Sequence, residues 1–389
     1  MFSRPLADID RIFGHVALFQ LSINMGTAFS VAFLLRQGLA EWLVMLAMGV
    51  SLALRFLLRP LVLWLAPAIG LRRTAITGVI LMAAPLVATP AVEGLDAALA
   101  IYIVSMALGE CVYWTSFHSC FASAASSGKL GGQVGFRQAV QAMTGVLGPP
   151  LGGLLLTYAG SWTGFVAAAL VRLLSAAPLV GLAEPPPVKR DPPPRAWSAA
   201  RFGALVFLSD GWVFCSAALP WSMVIFTSTG ERFDAYGTAL AAAALVGAFA
   251  GYRLGKGIDR GKGVRAVAVN LGASLVLLIA QGFCGTSPAM VVGVMILGSV
   301  LGGFSVPALL TAVYAQAREA PCTFRFQFAA EGGWDIGGAL ACFACAAVLR
   351  AGATPQTALL LAAPMLLAQA WLLHGDYAAR VRNGAQAAH

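Results

Sequence analysis

Long apolar runs alternate with short polar turns along almost the whole chain, and this pattern predicts membrane-spanning helices. A helix of about 20 apolar residues crosses the hydrocarbon core of a bilayer. We predict twelve spans, numbered in chain order: 12–35, 41–66, 74–92, 97–121, 134–157, 162–183, 202–227, 236–254, 265–284, 289–316, 326–349 and 355–375. Two acids precede the first run, which is unlike a cleaved signal peptide. We expect that run to remain as span 1.

A proline-rich segment separates two sets of six spans. Residues 181–197 hold six prolines in two runs interrupted by charges, a composition that breaks a helix and favours an extended chain. The sequence therefore predicts an all-α integral membrane protein with three parts. These are an N-terminal six-helix bundle at 1–183, a cytoplasmic linker at 184–200 and a C-terminal six-helix bundle at 201–389.

Composition and charge support a membrane location. Apolar residues make up 59% of the chain and charged residues 11%, and mean hydropathy is +0.81, whereas a soluble domain carries about 25% charged residues. Most of the 25 basic residues fall on the side of the two termini and the linker. This bias predicts that both termini are cytoplasmic. We attribute the net charge of +9 to topology, and expect lipid rather than nucleic acid as the partner.

Sequence signatures of enzymes and metal sites are missing. The chain has no Walker loop, dinucleotide fingerprint, HExxH or nucleophile elbow. Its seven cysteines are odd in number and lie mostly inside helices, so they suggest no disulfide framework, and we interpret Cys342 and Cys345 as packing residues. We predict no enzymatic activity, cofactor or metal, and any work must draw on a gradient across the membrane.

The two halves repeat each other in sequence. Phe136-Arg137 opens span 5 and Phe324-Arg325 opens span 11, and glycines follow in both. Leu108-Gly109 in span 4 matches Leu297-Gly298 in span 10. Parallel six-helix repeats about an axis normal to the membrane are one plan of secondary transporters.

The turn between spans 8 and 9 carries a motif of glycine, Asp-Arg, glycine and basic residues over 251–265. With this motif and the repeat, the chain resembles the major facilitator superfamily over nearly its whole length. In the 2/3 turn only Gly70, Arg72 and Arg73 remain of the motif, so the complete copy sits in the half that is unusual for the family. The resemblance implies two six-helix bundles around a midplane cavity and suggests three gating residues, Gly255, Asp259 and Arg260. A solvated basic loop is the alternative.

Span 5 also resembles a family signature, that of the antiporters. The matching positions are Gly135, Thr144 in place of a glycine, and Gly148, Pro149, Gly152 and Gly153. Glycines four apart let another helix approach closely, so we count Gly148, Pro149, Gly152 and Gly153 as gating candidates. The resemblance implies export. Generic helix packing is the alternative.

Four acids within the spans are candidates for proton coupling: Glu110, Asp210, Glu331 and Asp335. An ionisable group near the bilayer centre is costly and usually faces a cavity. Glu331 and Asp335 are one turn apart, and two close carboxylates resist double ionisation, so we expect them to share a proton. The alternative is neutralisation by Arg325 or by a basic residue of another span. The pattern leaves the role of Arg55 and Arg59, on one face of span 2, open.

Amide, aromatic and basic residues of the spans are candidates for substrate contact. An acid with aromatic residues one turn away, as at Glu110, could hold a cation or a polar aromatic molecule. Packing between helices is the alternative for most of these positions. The candidates are Gln20, Asn24, Tyr113, Trp114, His118, Arg137, Gln141, Trp212 and Trp334. The span-4 arginine frequent in the family's proton-coupled antiporters is absent from this chain.

Three functions are compatible with these patterns. The first is a proton-coupled exporter of a small organic molecule, monomeric, in a bacterial inner membrane. The second is a proton-coupled importer of a small metabolite on the same fold. The third is a non-transporting relative that acts as a sensor or assembly partner, for which a dry cavity with every listed acid paired would be evidence.

Overall fold

The computed structural model describes residues 7–125, 130–255, 263–302 and 306–386, and within these ranges the secondary structure is helical without a strand. In the N-terminal half, the helices of spans 1 to 6 are Asp8–Arg36, Glu41–Leu58 with Pro60–Ile69, Leu71–Ala91, Ala97–Ala124, Leu130–Leu154 with Leu155–Ala159, and Ser161–Val180. In the C-terminal half, those of spans 7 to 12 are Arg201–Ser228, Phe233–Gly255, Gly263–Gly282, Pro288–Gly302 with Val306–Glu319, Thr323–Arg350, and Pro355–Ala358 with Ala363–Gln386.

Membrane-length helices cover most of the predicted spans. Within the described ranges, nine helices are at least 18 residues long and apolar enough to cross a bilayer. Four shorter apolar helices cover 60–69, 233–249, 267–282 and 288–301. An all-helical, multi-pass membrane architecture is therefore confirmed. The total of twelve spans and the side on which the termini lie stay predictions.

Span 2 differs from its prediction as one continuous helix over 41–66. The helix Glu41–Leu58 ends at Arg59, and Pro60 starts a second helix that runs to Ile69. Proline has no backbone N–H to continue the hydrogen-bond ladder and is favoured in the first turn of a helix, which explains the break. The break places Arg59 at the junction, next to the charged residues described below.

Glycine turns connect two pairs of neighbouring spans in the same way. Gly70 and Gly160 both adopt a φ of +89°, which side chains rarely tolerate, directly before the helices that start at Leu71 and Ser161. At the start of span 4, the Asp96 carboxylate instead accepts the N–H groups of Leu99 at 2.8 Å and Glu93 at 2.9 Å. These bonds lower the pKa of Asp96, because they stabilise the charged form.

The linker contacts both halves. Residues 182–189 have no regular structure, and a short helix follows at Ala196–Ala199. Glu184 accepts the N–H of Arg72 at 3.1 Å in the 2/3 turn. Arg325 of span 11 donates to the carbonyl oxygens of Lys189 and Arg190 at 2.8 and 2.6 Å. The linker therefore lies along the ends of spans 2, 3 and 11.

Candidate functional site

Charged residues from both halves meet between spans 2, 4 and 11. Arg55 and Arg59 project from one face of the span-2 helix because they are one turn apart. Arg55 Nη1 lies 2.6 Å from Glu110 Oε2, and Arg55 Nε donates to Asp335. Arg59 Nε donates to the other oxygen of Asp335 at 2.8 Å, and Arg59 Nη1 donates to Thr115 Oγ1 at 2.8 Å. We call Arg55, Arg59, Glu110 and Asp335 the charge cluster.

A second polar chain lies beside the charge cluster. His118 Nε2 is 3.3 Å from Glu331 Oε1, and His118 Nδ1 is 2.5 Å from the hydroxyl of Tyr314. That hydroxyl accepts a hydrogen bond from Arg137 Nη1 at 3.0 Å. All four side chains are buried. Spans 4 and 5 thereby bind spans 10 and 11 through polar groups.

These contacts connect the N-terminal half to the C-terminal half. Arg55, Arg59 and His118 come from the first half, whereas Asp335 and Glu331 come from the second. Buried ion pairs that lose a partner cost several kcal/mol. Separation of the halves at this level therefore requires a new partner for each charge, such as a proton, water or a bound molecule.

Glu331 and Asp335 each have a basic partner of their own. Asp335 binds the two arginines of span 2, and Glu331 binds His118. Arg325, the neutralising residue considered from the sequence, binds linker carbonyls instead. These contacts agree with the alternative of neutralisation by basic residues of other spans, and the sharing of a proton stays a prediction. Glu331 and Asp335 lie on one face of the span-11 helix, but they are one turn apart along it. Glu331 therefore meets span 4 and Asp335 meets span 2.

Asp210 of span 7 has neutral donors as partners. Its carboxylate accepts the indole N–H of Trp334 at 3.2 Å and the amide of Gln369 at 3.2 Å. The Trp334 ring also lies under Arg55, with the guanidinium carbon 4.8 Å from the ring centroid. Trp334 therefore links Asp210 to the charge cluster. Trp212 of span 7 donates its indole N–H to the carbonyl of Leu361 at 2.8 Å.

The aromatic candidates of span 4 point in two directions. Trp114 stacks on His118, with ring centroids 5.6 Å apart, and so lies beside the polar chain. Tyr113 is buried within the N-terminal half, where its hydroxyl lies 2.7 Å from His15 Nε2 and its ring stacks on Phe19. Of the two, Trp114 is placed nearer the contact between the halves.

The amide candidates lie around spans 1 and 5. Asn24 donates to Thr144 Oγ1 at 3.3 Å, and the backbone carbonyl of Gln141 accepts the Thr144 hydroxyl at 2.9 Å. Gln20 and Gln141 are half-buried. The Asn24–Thr144 bond joins spans 1 and 5 within the first half.

The glycine candidates of span 5 lie where other helices come closest. A Cβ on Gly148 would be 2.5 Å from Asn24 Cβ, and one on Gly153 would be 2.5 Å from the Phe233 carbonyl oxygen at the start of span 8. The backbone of Pro149 in turn contacts Gly237 of span 8, and Gly152 contacts Met25. The close approach predicted from the glycine spacing is present here, toward both span 1 and span 8.

Of the three gating candidates in the 8/9 turn, Gly255 is the last residue of the helix Phe233–Gly255. Asp259 and Arg260 lie outside the described residues. Their contacts stay a prediction.

Several residues in these contacts were not candidates from the sequence. Arg55 and Arg59 had no assigned role, and Tyr314 and Thr115 were not singled out. The arginines carried a usable signal, since a charge inside a membrane span needs a partner. Tyr314 and Thr115 carried none, because hydroxyl groups are common in helix packing.

Comparison with known proteins agrees with this architecture. The family model of the Major Facilitator Superfamily matches residues 13–342. The chain belongs to the major facilitator superfamily. The superfamily consists of transporters built from membrane helices. This chain shares its fold with solved structures over nearly its whole length. No curated protein gave a significant match.

Three solved structures illustrate the shared fold. FucP, in the outward conformation, has a TM-score of 0.67 at 14% identity, with 95% of this chain and 98% of that chain covered. The human organic anion transporter MFSD10 (TETRAN) has a TM-score of 0.66 at 15% identity, with 94% and 98% covered. The peptide transporter POT in complex with sulfate has a TM-score of 0.61 at 15% identity, with 96% and 94% covered. At these identities the likeness concerns the fold alone.

Proposed function

We propose that this superfamily member is a secondary active transporter that exports a small organic molecule in exchange for protons by alternating access. The observation that carries the proposal is the set of buried ionic contacts between the halves, Arg55 and Arg59 with Asp335 and His118 with Glu331. Such contacts hold the halves together at this level, and their release would open a route between them. A gradient of protons can drive that release.

Protons would act by neutralising the carboxylates of these contacts. A protonated Asp335 carboxyl no longer attracts the two arginines by its charge. A protonated Glu331 carboxyl no longer offers a charged acceptor to an N–H of His118. We assign the coupling role to Glu331 and Asp335, with Glu110 as the acid that stays with Arg55 in the first half. Asp210, which has neutral partners, is the reserve.

The direction of transport follows from the span-5 pattern, which resembles that of antiporters. Import is the alternative, and it draws support from the fold neighbours, since one FucP structure is described as an Escherichia coli fucose:proton symporter. Accumulation in whole cells, with and without a protonophore, separates the two. An exporter gives higher accumulation when the protonophore is present, and an importer gives lower accumulation.

The coupling assignment is tested in proteoliposomes with the substrate found by metabolite profiling of a deletion strain. We expect Asp335→Asn and Glu331→Gln, singly, to abolish transport driven by a pH gradient while downhill exchange partly remains. Glu319→Gln is the matched control, because Glu319 is an exposed acid paired with Arg380 outside these contacts. Uphill transport with unchanged pH dependence in both variants would make the pair structural.

Gating by the 8/9 turn is a separate part of the proposal. An acid between basic residues at a helix end can bind the positive N-terminus of a neighbouring helix in one conformation and release it in the other. Asp259→Asn removes the charge and keeps the shape, so transport should fall at normal abundance. Unchanged transport would leave a solvated loop.

A non-transporting role is the remaining alternative. Three of the four acids have cationic or histidine partners, as that role requires, but Asp210 is held by Trp334 and Gln369, which are neutral. A groove of about 430 Å³ beside Arg59, lined by apolar residues of spans 2, 7 and 11, also leaves space next to the charge cluster. The neutral partners of Asp210 favour a transporter, whereas the groove opens beside the exposed side chains of Leu57 and Leu205 and favours neither role.

A further inference from the structure

Arg172 of span 6 is a buried charge without an acidic partner. Its side chain is 1% exposed. Its Nε donates to Ser22 Oγ at 3.0 Å, its Nη2 donates to Thr27 Oγ1 at 3.3 Å, and its guanidinium carbon lies 4.1 Å from the centroid of the Phe19 ring. No carboxylate in the described part of the chain forms an ion pair with it. Arg172 lies eleven residues after Ser161, which puts it about 16 Å along the span-6 helix and so near the bilayer centre.

The nearby acid, Glu110, already has a cationic partner. Glu110 binds Arg55 at 2.6 Å, and within the charge cluster two arginines face two carboxylates. Arg172 therefore adds one positive charge that the cluster does not balance. Ionised groups at this depth are normally accompanied by a counter-charge.

A small cavity lies against Arg172 among spans 1, 3, 4 and 6. Its polar lining consists of Arg172, Thr27, Ser30, Tyr102 and Glu110, and its apolar lining consists of Met82, Pro85, Leu86 and Met106. The Tyr102 side chain is 2% exposed, and its hydroxyl lies near the Ser30 side chain but outside the geometry of a hydrogen bond with it or with any other described residue. The centre of a water-sized sphere can move through about 10 Å³, which is room for one water molecule or one monatomic ion.

We propose that this cavity binds one chloride-sized halide ion, held by Arg172 and the hydroxyl of Tyr102. A guanidinium group offers only donors, and the hydroxyl groups of Tyr102, Thr27 and Ser30 can donate as well, so these four side chains suit an anion. The size of the cavity excludes sulfate, phosphate and carboxylate groups. The inference is independent of the transport function proposed above.

Glu110 sets the direction in which anion affinity should change on substitution. Its carboxylate lines the same cavity, so it repels an anion, although Arg55 offsets part of this charge. Replacing the carboxylate by an amide of the same shape removes the repulsion. Anion affinity should therefore rise in Glu110→Gln, which is the opposite of what loss of a coordinating residue would do.

The test is equilibrium binding of radioactive chloride to the purified full chain, with gluconate keeping the ionic strength constant. We expect one saturable site per chain, displaced by bromide but not by sulfate. Tyr102→Phe should weaken binding about tenfold, as expected for loss of a hydrogen bond to a charged group. Tyr236→Phe is the matched control, since Tyr236 is a buried tyrosine whose hydroxyl donates elsewhere, to the carbonyl of Ala28 at 3.3 Å.

Each result of the binding experiment either supports or overturns the chloride site. Absence of saturable chloride binding would overturn the proposal and leave a single water in the cavity. Equal affinity in Tyr102→Phe and the native chain, or displacement by sulfate, would also overturn it, because either result places the ion elsewhere. Arg172→Gln should abolish binding, but removal of a buried guanidinium also weakens the fold, so the decision rests on Tyr102→Phe and Glu110→Gln, which keep the shape of the side chains. Unchanged or weaker chloride affinity in Glu110→Gln would overturn the proposal as well.

Discussion

Spans 2 and 11 contact each other through charges, whereas spans 5 and 8 contact each other through backbone. Arg55 and Arg59 bind Asp335 in the first contact, and Gly153 and Gly237 allow close approach in the second. The repeat predicted from the sequence makes these two contacts counterparts, because it relates span 2 to span 8 and span 5 to span 11. Contacts that the predicted repeat makes equivalent thus differ in their chemistry.

This difference separates two tasks within one interface. An ionic contact changes strength when a proton or a charged molecule arrives, while a contact between glycines depends only on shape. We therefore interpret the 2/11 contact as the one that responds to protons and substrate. The 5/8 contact, in this interpretation, is the surface on which the halves pivot.

The largest effect is expected from breaking the charged contact. Asp335→Asn leaves Arg55 and Arg59 buried without a full counter-charge, and loss of one partner of a buried ion pair costs about 3–5 kcal/mol. The apparent melting temperature of the purified protein should fall strongly. Arg59→Gln combined with Asp335→Asn should cost less than the sum of the single changes, with a coupling of about 0.5–3 kcal/mol.

Strict additivity of the two changes would contradict the comparison. It would mean that Arg59 and Asp335 do not stabilise each other, and the 2/11 contact would then rest on apolar packing.

An intermediate effect is expected from filling the backbone contact. Gly153→Ala places a methyl group 2.5 Å from the Phe233 carbonyl oxygen, so the helices of spans 5 and 8 must move apart. Overpacking of this kind costs about 1–3 kcal/mol. The melting temperature should fall without any change in its pH dependence, since no charge is altered.

Gly135→Ala is the control in the same helix, because a Cβ there meets no atom within 4 Å. Equal melting temperatures for the Gly135 and Gly153 variants would show that the 5/8 contact tolerates separation and is not a pivot.

The smallest effect is expected at the linker. Glu184 and Arg72 are 3.4 Å apart, but the Glu184 side chain is 37% exposed, and exposed ion pairs contribute about 0–1 kcal/mol. Glu184→Gln should leave the melting temperature nearly unchanged, measured beside Asp335→Asn. A fall as large as that of Asp335→Asn would show that the linker, rather than the two helix contacts, holds the halves together.

Local sequence pattern determined the membrane architecture and the choice of acids. Apolar runs of membrane length, the proline-rich segment and the repeated motifs are properties of short stretches, and they predicted the helical membrane fold and the family. The cost of a charge in a bilayer singled out Glu110, Asp210, Glu331 and Asp335, and spacing predicted close approach at the span-5 glycines.

The tertiary structure alone decided which residues meet. Arg55 and Asp335 are 280 positions apart in the chain, and His118 and Tyr314 are 196 apart. Helix periodicity fixes the face on which a side chain lies but does not say which helix covers that face. For that reason the one-turn spacing of Glu331 and Asp335 did not show that packing against spans 2 and 4 gives each acid its own basic partner.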